Sequence, residues 1–172
     1  MNGSAEQYLA EQSLMAALGQ LGIACDVHEH TAVFTVEESA QLHDAIAGRH
    51  TKNLFLKDAG GQFWLVTVPH NIRVDLKALP SAIGSKKVSF GKADDMERLL
   101  GITPGSVTPL AAINDRGGHV RVVLDTALGS PEVVNVHPLR NTATLSLSGT
   151  DLRRALADWG HDPLIANIPQ VG

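Results

Sequence analysis

Hydrophobic residues recur along the chain at two spacings, and these spacings separate the predicted helices from the predicted strands. Within residues 5–21, Leu14, Leu18 and Leu21 follow each other at intervals of three or four, the spacing of a helix that buries one face. Gly22 then provides a natural C-terminal stop for this helix. Similar patterns predict helices at 35–43, 74–84, 92–101 and 150–160.

Capping and helix-breaking residues help to bound these helices. Thr35 and Glu38 form a capping-box pattern at the start of the second helix. Pro80 is expected to break the third helix, because proline lacks the backbone N–H that a helix interior uses. Ser148 or Thr150 is expected to cap the last helix.

Alternating or continuous apolar runs predict about seven strands, with clear examples at 23–30, 50–56, 62–68, 86–90, 133–137 and 142–148. The sequence DAGG predicts a hairpin between 50–56 and 62–68, and DRGG predicts another between 109–115 and 119–125. The last residues, IPQVG, look loose. Because strands and helices do not strictly alternate, the pattern predicts an α+β fold with a mixed sheet, not a doubly wound parallel sheet.

The composition fits a folded protein that forms one domain over residues 1–172. A net charge of −4 argues against a general nucleic-acid coat protein, although it permits a local basic patch. The single cysteine, Cys25, excludes an internal disulfide and suits a reducing cytoplasm. No apolar run approaches the roughly 18 residues that cross a bilayer, and no signal peptide is evident. We therefore expect a cytoplasmic protein without a membrane partner.

Three segments carry candidate chemistry. Lys52 and Asn53 stand side by side at the start of a predicted strand, where they either form an ordinary solvated entrance or hold a ligand. The loop GITPGSVTPL at 101–110 combines glycines and prolines that allow a close, rigid backbone approach to an anion. His137 ends another predicted strand, where it could bind an amine or hydroxyl or shuttle a proton. A structural role is the simpler reading of each.

Other chemistries find less support in the sequence. His28 and His30 would share one face of a strand, but no third ligand has metal-site spacing, and HExxH and CxxC are absent. The chain also lacks a P-loop and the Gly-x-Ser-x-Gly elbow of α/β-hydrolases. Cys25 is expected to be a small core residue. A phosphate-binding patch made by Arg73, Lys77, Lys86 and Lys87 is a weaker hypothesis than a solvated face.

The order and spacing of four segments resemble the prolyl-tRNA synthetase editing-domain family, also called YbaK-like. These segments are EHTAVFTVEESA at 29–40, GRHTKNLFLKD at 48–58, GITPGSVTP at 101–109 and NVHPLRNTATLSLS at 135–148. The KNLFL sequence is most similar to the free-standing branch that hydrolyses alanyl-tRNA(Pro). The resemblance implies a barrel-like mixed sheet flanked by helices. It also implies hydrolysis of the ester in a mischarged tRNA.

The resemblance assigns roles to individual residues. Lys52 matches the family's functional lysine, and His137 matches the histidine beside the aminoacyl pocket, so both are candidate catalytic residues. Asn53 matches the neighbour of that lysine, and Gly105 and Pro109 match the ends of the family's loop, so these three and the intervening Ser106, Val107 and Thr108 are candidate substrate-binding residues. Asn141 and Thr142 are added as candidates because they follow His137 within reach of the same loop. No metal or cofactor is expected. The expected partner is the acceptor end of tRNA(Pro) that carries a wrong amino acid, with a transient contact to prolyl-tRNA synthetase as a further expectation.

The implied chemistry needs water as the nucleophile and a pocket that is too small for proline. Within this family, cysteinyl- or seryl-tRNA is the alternative substrate. A catalytically silent tRNA-binding module and a small-molecule binding protein are the alternatives from other functional classes. The sequence alone leaves these alternatives open.

Overall fold

The computed structural model describes residues 3–32 and 36–171. Its helices are α1 Gly3–Gln20, α2 Val36–Ala45, α3 Leu79–Ile83, α4 Ala93–Leu100 and α5 Gly149–Asp158. Its strands are β1 Asp26–Glu29, β2 Arg49–Asp58, β3 Phe63–Pro69, β4 Val88–Phe90, β5 Val120–Asp125, β6 Val133–Val136, β7 Ala143–Ser148 and β8 Leu164–Ala166. Short 3₁₀ helices cover Pro104–Ser106, Pro109–Asn114 and Thr126–Leu128.

The strands form one mixed sheet of eight strands in the order β1-β7-β6-β2-β3-β5-β8, and β4 pairs with β2 beside this path. The α+β class is therefore confirmed, with one strand more than the approximate count predicted. The described strands do not close into a ring of hydrogen bonds. The predicted hairpin between β2 and β3 is also confirmed, because Lys57 lies opposite Phe63 and the pairing continues antiparallel to Thr51 and Pro69.

Two hydrophobic cores cover the two faces of the central strands. Phe55 and Leu65 face the larger core, which α1, α4 and α5 complete with leucines such as Leu14 and Leu156. The neighbouring residues of β2 and β3 face a second core, completed by Leu79 and Ile83 of α3, Val88 and Ile168. Because successive strand residues point to opposite faces, the continuous apolar run of β3 feeds both cores.

The second predicted hairpin is wrong. Residues 109–114 form a 3₁₀ helix, in which Thr108 Oγ1 accepts from Leu110 N at 3.3 Å as an N-terminal cap. β5 pairs instead in parallel with β3 and β8. An apolar run of this length suits either a buried strand or a short buried helix, and the proline at its start favours the helix.

Two smaller predictions also need correction. Pro80 lies in the first turn of α3 and does not break it, because the first turn needs no N–H from that residue. The C-terminal segment is anchored: Val74 pairs with Gln170, and Ile168 is buried. Ser148 is confirmed as the cap of α5, since its Oγ accepts from Asp151 N at 3.0 Å. The capping box predicted at Thr35 lies outside the described residues.

Among the helices of the described ranges, none is long and apolar enough to cross a bilayer.

Candidate active site

The candidate site begins at an interruption in the pairing of β2. On the edge away from β3, β2 pairs with β6 at Arg49 and His50, and then with β4 at 56–58. Although Gly91 N donates to the carbonyl oxygen of Phe55, residues 51–54 have no partner strand on that edge among the described strands. Their side chains alternate between the two faces, so Thr51 and Asn53 share the face of the larger core.

A small cavity of about 110 Å³ opens on this face. Pockets for drug-sized ligands typically measure roughly 300–1,000 Å³, so this cavity suits a small group. It lies among α2, the start of β2, and strands β6 and β7. Its lining residues are Ser39, Leu42, His43, His50, Thr51, Asn53, Asn135, Val136, His137 and Thr144.

Asn53 joins the cavity to the glycine–proline loop. Its Nδ2 donates to the carbonyl oxygen of Val107 at 2.9 Å, and its Oδ1 accepts from Thr67 Oγ1 at 2.6 Å. Thr67 is fully buried on β3, so it fixes the rotamer of the Asn53 amide. One N–H of Asn53 and one lone pair of its oxygen remain for a ligand.

The loop from Gly105 to Pro109 packs closely against the segment that follows β6. A Cβ atom added to Gly105 would lie 3.2 Å from Asn141 Nδ2, so glycine permits this approach. Ser106, Thr108 and Pro109 are buried, and Val107 is half-buried. The structure thus brings Asn53, Val107, Gly105 and Asn141 together. Thr108 also has the structural role of capping the 3₁₀ helix.

His137 lines the cavity and is held in a defined tautomer. Its Nδ1 lies 3.1 Å from the carbonyl oxygen of Ala143, and because a carbonyl only accepts, Nδ1 carries the hydrogen. Nε2 consequently presents a lone pair. Burial, assisted by the nearby His30, lowers the pKa of His137 below its ordinary value of about 6.5, so the ring is neutral at pH 7.

A second polar pair lies beside His137. Thr144 is buried on β7, and its Oγ1 lies 2.9 Å from Nε2 of His30. His30 Nδ1 contacts the carbonyl oxygen of Thr31 at 2.7 Å, which makes Nδ1 the donor and leaves Nε2 to accept from the threonine hydroxyl. His30 therefore has a structural role at the cavity wall. Within the described residues, no group of three or more His, Cys, Asp or Glu has metal-binding geometry.

Arg140 anchors the segment between β6 and β7. It forms ion pairs with Glu11 of α1 at 2.7 Å and Glu29 of β1 at 2.6 Å. Its Nη1 also donates to Thr142 Oγ1 at 2.9 Å. The preceding residue, Leu139, is buried with φ of 71°, a left-handed conformation that is costly for a residue other than glycine. The ion pairs hold this strained turn, and they place Thr142 against Arg140, outside the cavity lining.

Lys52 lies on the other face of β2. It pairs with Val68 of β3, whose side chain is buried in the second core. Directly opposed residues in an antiparallel pair share a face, so Lys52 faces away from Thr51 and Asn53. The structure therefore brings Asn53 and His137 to one cavity and leaves Lys52 outside its lining.

Three histidines from separate elements meet at the edge of the cavity. The ring of His43 on α2 stacks on that of His50 at 4.1 Å between centroids and meets that of His70 edge-on at 4.2 Å. Burial lowers the pKa of His43 to about 4, and the neighbouring His50 and His70 add to the shift. Burial also lowers the pKa of His50, whose Nε2 lies 2.9 Å from the carbonyl oxygen of Ile46.

Comparisons with known proteins match this arrangement to one family. The profile of the aminoacyl-tRNA editing domain matches residues 30–155, which include both the cavity and the glycine–proline loop. The chain belongs to the aminoacyl-tRNA editing domain family. The resemblance inferred from the four sequence segments is thus confirmed.

Individual relatives agree with this assignment. The prolyl-tRNA editing protein ProX of Acetoanaerobium sticklandii is 39% identical over 88% of this chain and 93% of its own. The prolyl-tRNA synthetase associated domain-containing protein 1 of Bos taurus is 40% identical over 93% of this chain and 98% of its own. A crystal structure of a proposed trans-editing enzyme for prolyl-tRNA synthetase shares the fold, with a TM-score of 0.68 and 24% identity over 95% of this chain and 98% of that one.

Some residues that line the candidate cavity were not among the site residues predicted from the sequence. Thr51 could have been found, because strand alternation places it on the same face as Asn53. Asn135 likewise lies two residues before His137. Thr144 and His43 reach the cavity only through the packing of β7 and α2, and no local sequence pattern predicts that packing.

Proposed function

We propose that this chain is a trans-acting deacylase that hydrolyses the ester of alanyl-tRNA(Pro), and that residues 1–172 act as one editing domain in the cytoplasm. The observation that carries the proposal is the cavity of about 110 Å³ bounded by Asn53 and His137, beside a glycine–proline loop. Membership of the editing family and two relatives named for prolyl-tRNA editing or prolyl-tRNA synthetase support it further.

The aminoacyl group would occupy the cavity. The lone pair on Nε2 of His137 would accept a hydrogen bond from the α-amino group, because Nδ1 already donates to Ala143. The free N–H of the Asn53 amide would bind the ester oxygen or a ribose hydroxyl. Both groups are fixed by other hydrogen bonds before a substrate arrives, which lowers the entropic cost of orienting the ester.

The reaction itself is the addition of water to an activated ester. The water oxygen would attack the carbonyl carbon, the bond from that carbon to the ribose oxygen would break, and the ribose hydroxyl would recover a proton. Free alanine and uncharged tRNA would leave. Backbone N–H groups of the loop between Gly105 and Pro109 would stabilise the negative charge that develops on the carbonyl oxygen.

Discrimination would follow from size. A synthetase pocket built for proline rejects smaller alanine poorly, because each methylene is worth only about 1–3 kcal/mol. A second site that alanine enters and proline does not can remove the error while it spares the correct product. The small cavity, with His137 on one side and Leu42 on another, supports such a role.

Lys52 would act on the nucleic acid, not on the amino acid. Its place on the opposite face of β2 from Asn53 supports this division. Its ammonium group would pair with a phosphate next to the terminal ribose, while the adjacent amide contacts the ester. Prolyl-tRNA synthetase would meet the protein only transiently, as the source of mischarged tRNA.

The test is deacylation of alanyl-, cysteinyl-, seryl- and prolyl-tRNA(Pro) by the purified protein, with a metal chelator present. We expect rapid loss of alanine and stable prolyl-tRNA. Preferential loss of cysteine or serine would move the specificity to the alternative substrates of the family. Binding of tRNA without hydrolysis of any ester would contradict the proposal and favour a silent binding module.

A further inference from the structure

The exposed aromatic residue Phe90 lies on β4, which pairs with the same strand β2 that carries Asn53. Phe90 ends the short strand β4 with 63% of its surface exposed, although Val88 of the same strand is buried in the second core. A phenylalanine that faces solvent does not contribute the favourable free energy of burying its ring, which is about 1.5–3 kcal/mol. The ring of Phe90 is therefore available to contact a ligand.

The register places Phe90 near Lys52. Phe90 lies opposite Leu56, and Gly91 N donates to the carbonyl oxygen of Phe55 at 2.8 Å, so the antiparallel pairing continues beyond β4. Lys92 has extended backbone angles, and this continuation brings it opposite Leu54. Lys52, Leu54 and Leu56 alternate onto one face of β2, so Phe90, Lys92 and Lys52 share that face.

We name this surface, formed by Lys52, Leu54, Phe90 and Lys92, the Phe90 face. Lys52 lies four residues along β2 from the level of Phe90, about 13 Å, and Lys92 lies between the two levels. Neither lysine forms an ion pair within 4.0 Å among the described residues. Lys92 is exposed, and Asp95 at the start of α4 pairs with Arg98.

We propose that the Phe90 face binds the single-stranded 3′ end of the RNA that carries the ester, with one base stacked on Phe90. This inference rests on the proposed function and extends it from the amino acid to the nucleic acid. Any base offers a flat face to an aromatic ring, and each stacked base is worth about 1–3 kcal/mol. Lys92 and Lys52 lie on the same side of Phe90 along β2, where they supply cations for successive phosphates between that base and the terminal ribose.

This arrangement gives the two faces of β2 separate tasks. The strand edge at 51–54 lies between the cavity, which faces the larger core, and the Phe90 face. A terminal ribose at this edge can direct its ester towards Asn53 and its phosphate towards Lys52. An RNA end offers a base to stack on Phe90 and phosphates to pair with Lys52 and Lys92. An apolar protein partner would leave both lysines without anions.

The test is binding of a hairpin RNA with the acceptor-stem sequence of tRNA(Pro) and its unpaired 3′ end, measured by fluorescence anisotropy at fixed salt. We expect Phe90→Ala to weaken binding about 5- to 150-fold, the equivalent of one lost stack. Phe90→Trp should restore it. Lys92→Gln should weaken binding and reduce its salt dependence. Leu164→Ala, which alters another exposed apolar residue on the edge strand β8, should have no effect.

A hairpin that lacks the unpaired end supplies the decisive comparison. The proposal requires that Phe90→Ala no longer matters for this shortened RNA. Equal losses for both hairpins would overturn it, and so would unchanged binding of the complete hairpin. A change from dimer to monomer in Phe90→Ala with unchanged RNA affinity would also overturn it, because the face would then bind a second copy of the chain.

Failure of this inference can be separated from failure of the proposed function. If the wild type deacylates alanyl-tRNA(Pro) and Phe90→Ala is equally active and binds the hairpin equally well, only the stacking surface is refuted. If the wild type hydrolyses no ester but binds the hairpin through Phe90, the surface is supported and the proposed function is refuted.

Discussion

Asn53 Nδ2 donates a hydrogen bond of 2.9 Å to the carbonyl oxygen of Val107, and this bond joins strand β2 to the glycine–proline loop. The two residues are separated by 54 positions in the chain. The contact therefore links two of the three segments in which the sequence predicts candidate site residues. Thr67 holds the other end of the same amide, so the loop position depends on a side chain that β3 fixes.

Replacement of Asn53 by aspartate should disrupt this link. The carboxylate would face the Val107 carbonyl without a hydrogen to donate, and an unsatisfied group of this kind costs about 1–3 kcal/mol. We expect a lower free energy of unfolding in urea and at least a tenfold loss of kcat/KM on alanyl-tRNA(Pro). Asn71→Asp introduces the same charge at an exposed position and serves as the control. Full activity in Asn53→Asp would show that the link is dispensable.

His137→Ala should alter specificity more than folding. The variant loses the lone pair proposed to hold the amino group, and it removes a wall of the cavity. We expect the rate on alanyl-tRNA(Pro) to fall by about 10- to 100-fold, the range for one positioned polar group. The ratio of prolyl to alanyl hydrolysis should rise. His119→Ala alters an exposed histidine and should keep the wild-type rate and specificity. Wild-type rate and specificity in His137→Ala would refute its role in the pocket.

The sequence predicted the general fold and singled out segments that line the candidate site, but not their mutual arrangement. Lys52, Asn53 and His137 could be singled out because polar residues adjoin apolar runs there, although Lys52 and Asn53 lie inside β2 and not at its start. Strand alternation alone implies that Lys52 and Asn53 face opposite sides, a consequence that becomes clear only once the cores on each side are known. The register of β2 with β6 and β4 leaves the open edge between them, and that depends on pairings distant in sequence.

The wrong hairpin prediction has the same origin. The turn chemistry of DRGG and the flanking apolar runs suit a local antiparallel pair. Tertiary context decides otherwise, because β5 is buried between β3 and β8 in parallel register. Arg140 was likewise not singled out, since its partners Glu11 and Glu29 come from the distant elements α1 and β1.

Arg140→Gln should destabilise the protein more than the loss of an ordinary surface arginine. The substitution leaves Glu11, whose side chain is only 10% exposed, without its cation, and it releases the strained turn at Leu139. We expect a loss of about 2–4 kcal/mol in the free energy of unfolding. Arg49→Gln, which breaks the exposed pair with Glu132, is the matched control and should cost about 0.5 kcal/mol or less. Equal effects in urea denaturation would contradict the anchoring role.

The histidine cluster should make stability depend on pH. The pKa of His43 is lowered to about 4, and that of His50 is also lowered, so the unfolded chain takes up protons first as the pH falls. Stability should be complete above pH 6.5 and decrease between pH 6.5 and about 4. His43→Gln should flatten this decrease in the melting temperature, whereas His119→Gln should not. A wild-type melting temperature that rises as the pH falls from 7 to 5 would contradict this account.

The most direct test of the central claim is the rate at which the wild type, Lys52→Ala and Lys77→Ala deacylate alanyl-tRNA(Pro), with prolyl-tRNA(Pro) as the protected substrate. Lys77 is an exposed lysine away from the cavity and serves as the matched control. We predict rapid, alanine-selective hydrolysis by the wild type and Lys77→Ala, and its loss in a Lys52→Ala protein whose circular dichroism and melting temperature are unchanged. Full activity in Lys52→Ala, or equal hydrolysis of prolyl-tRNA(Pro) by the wild type, would contradict the account.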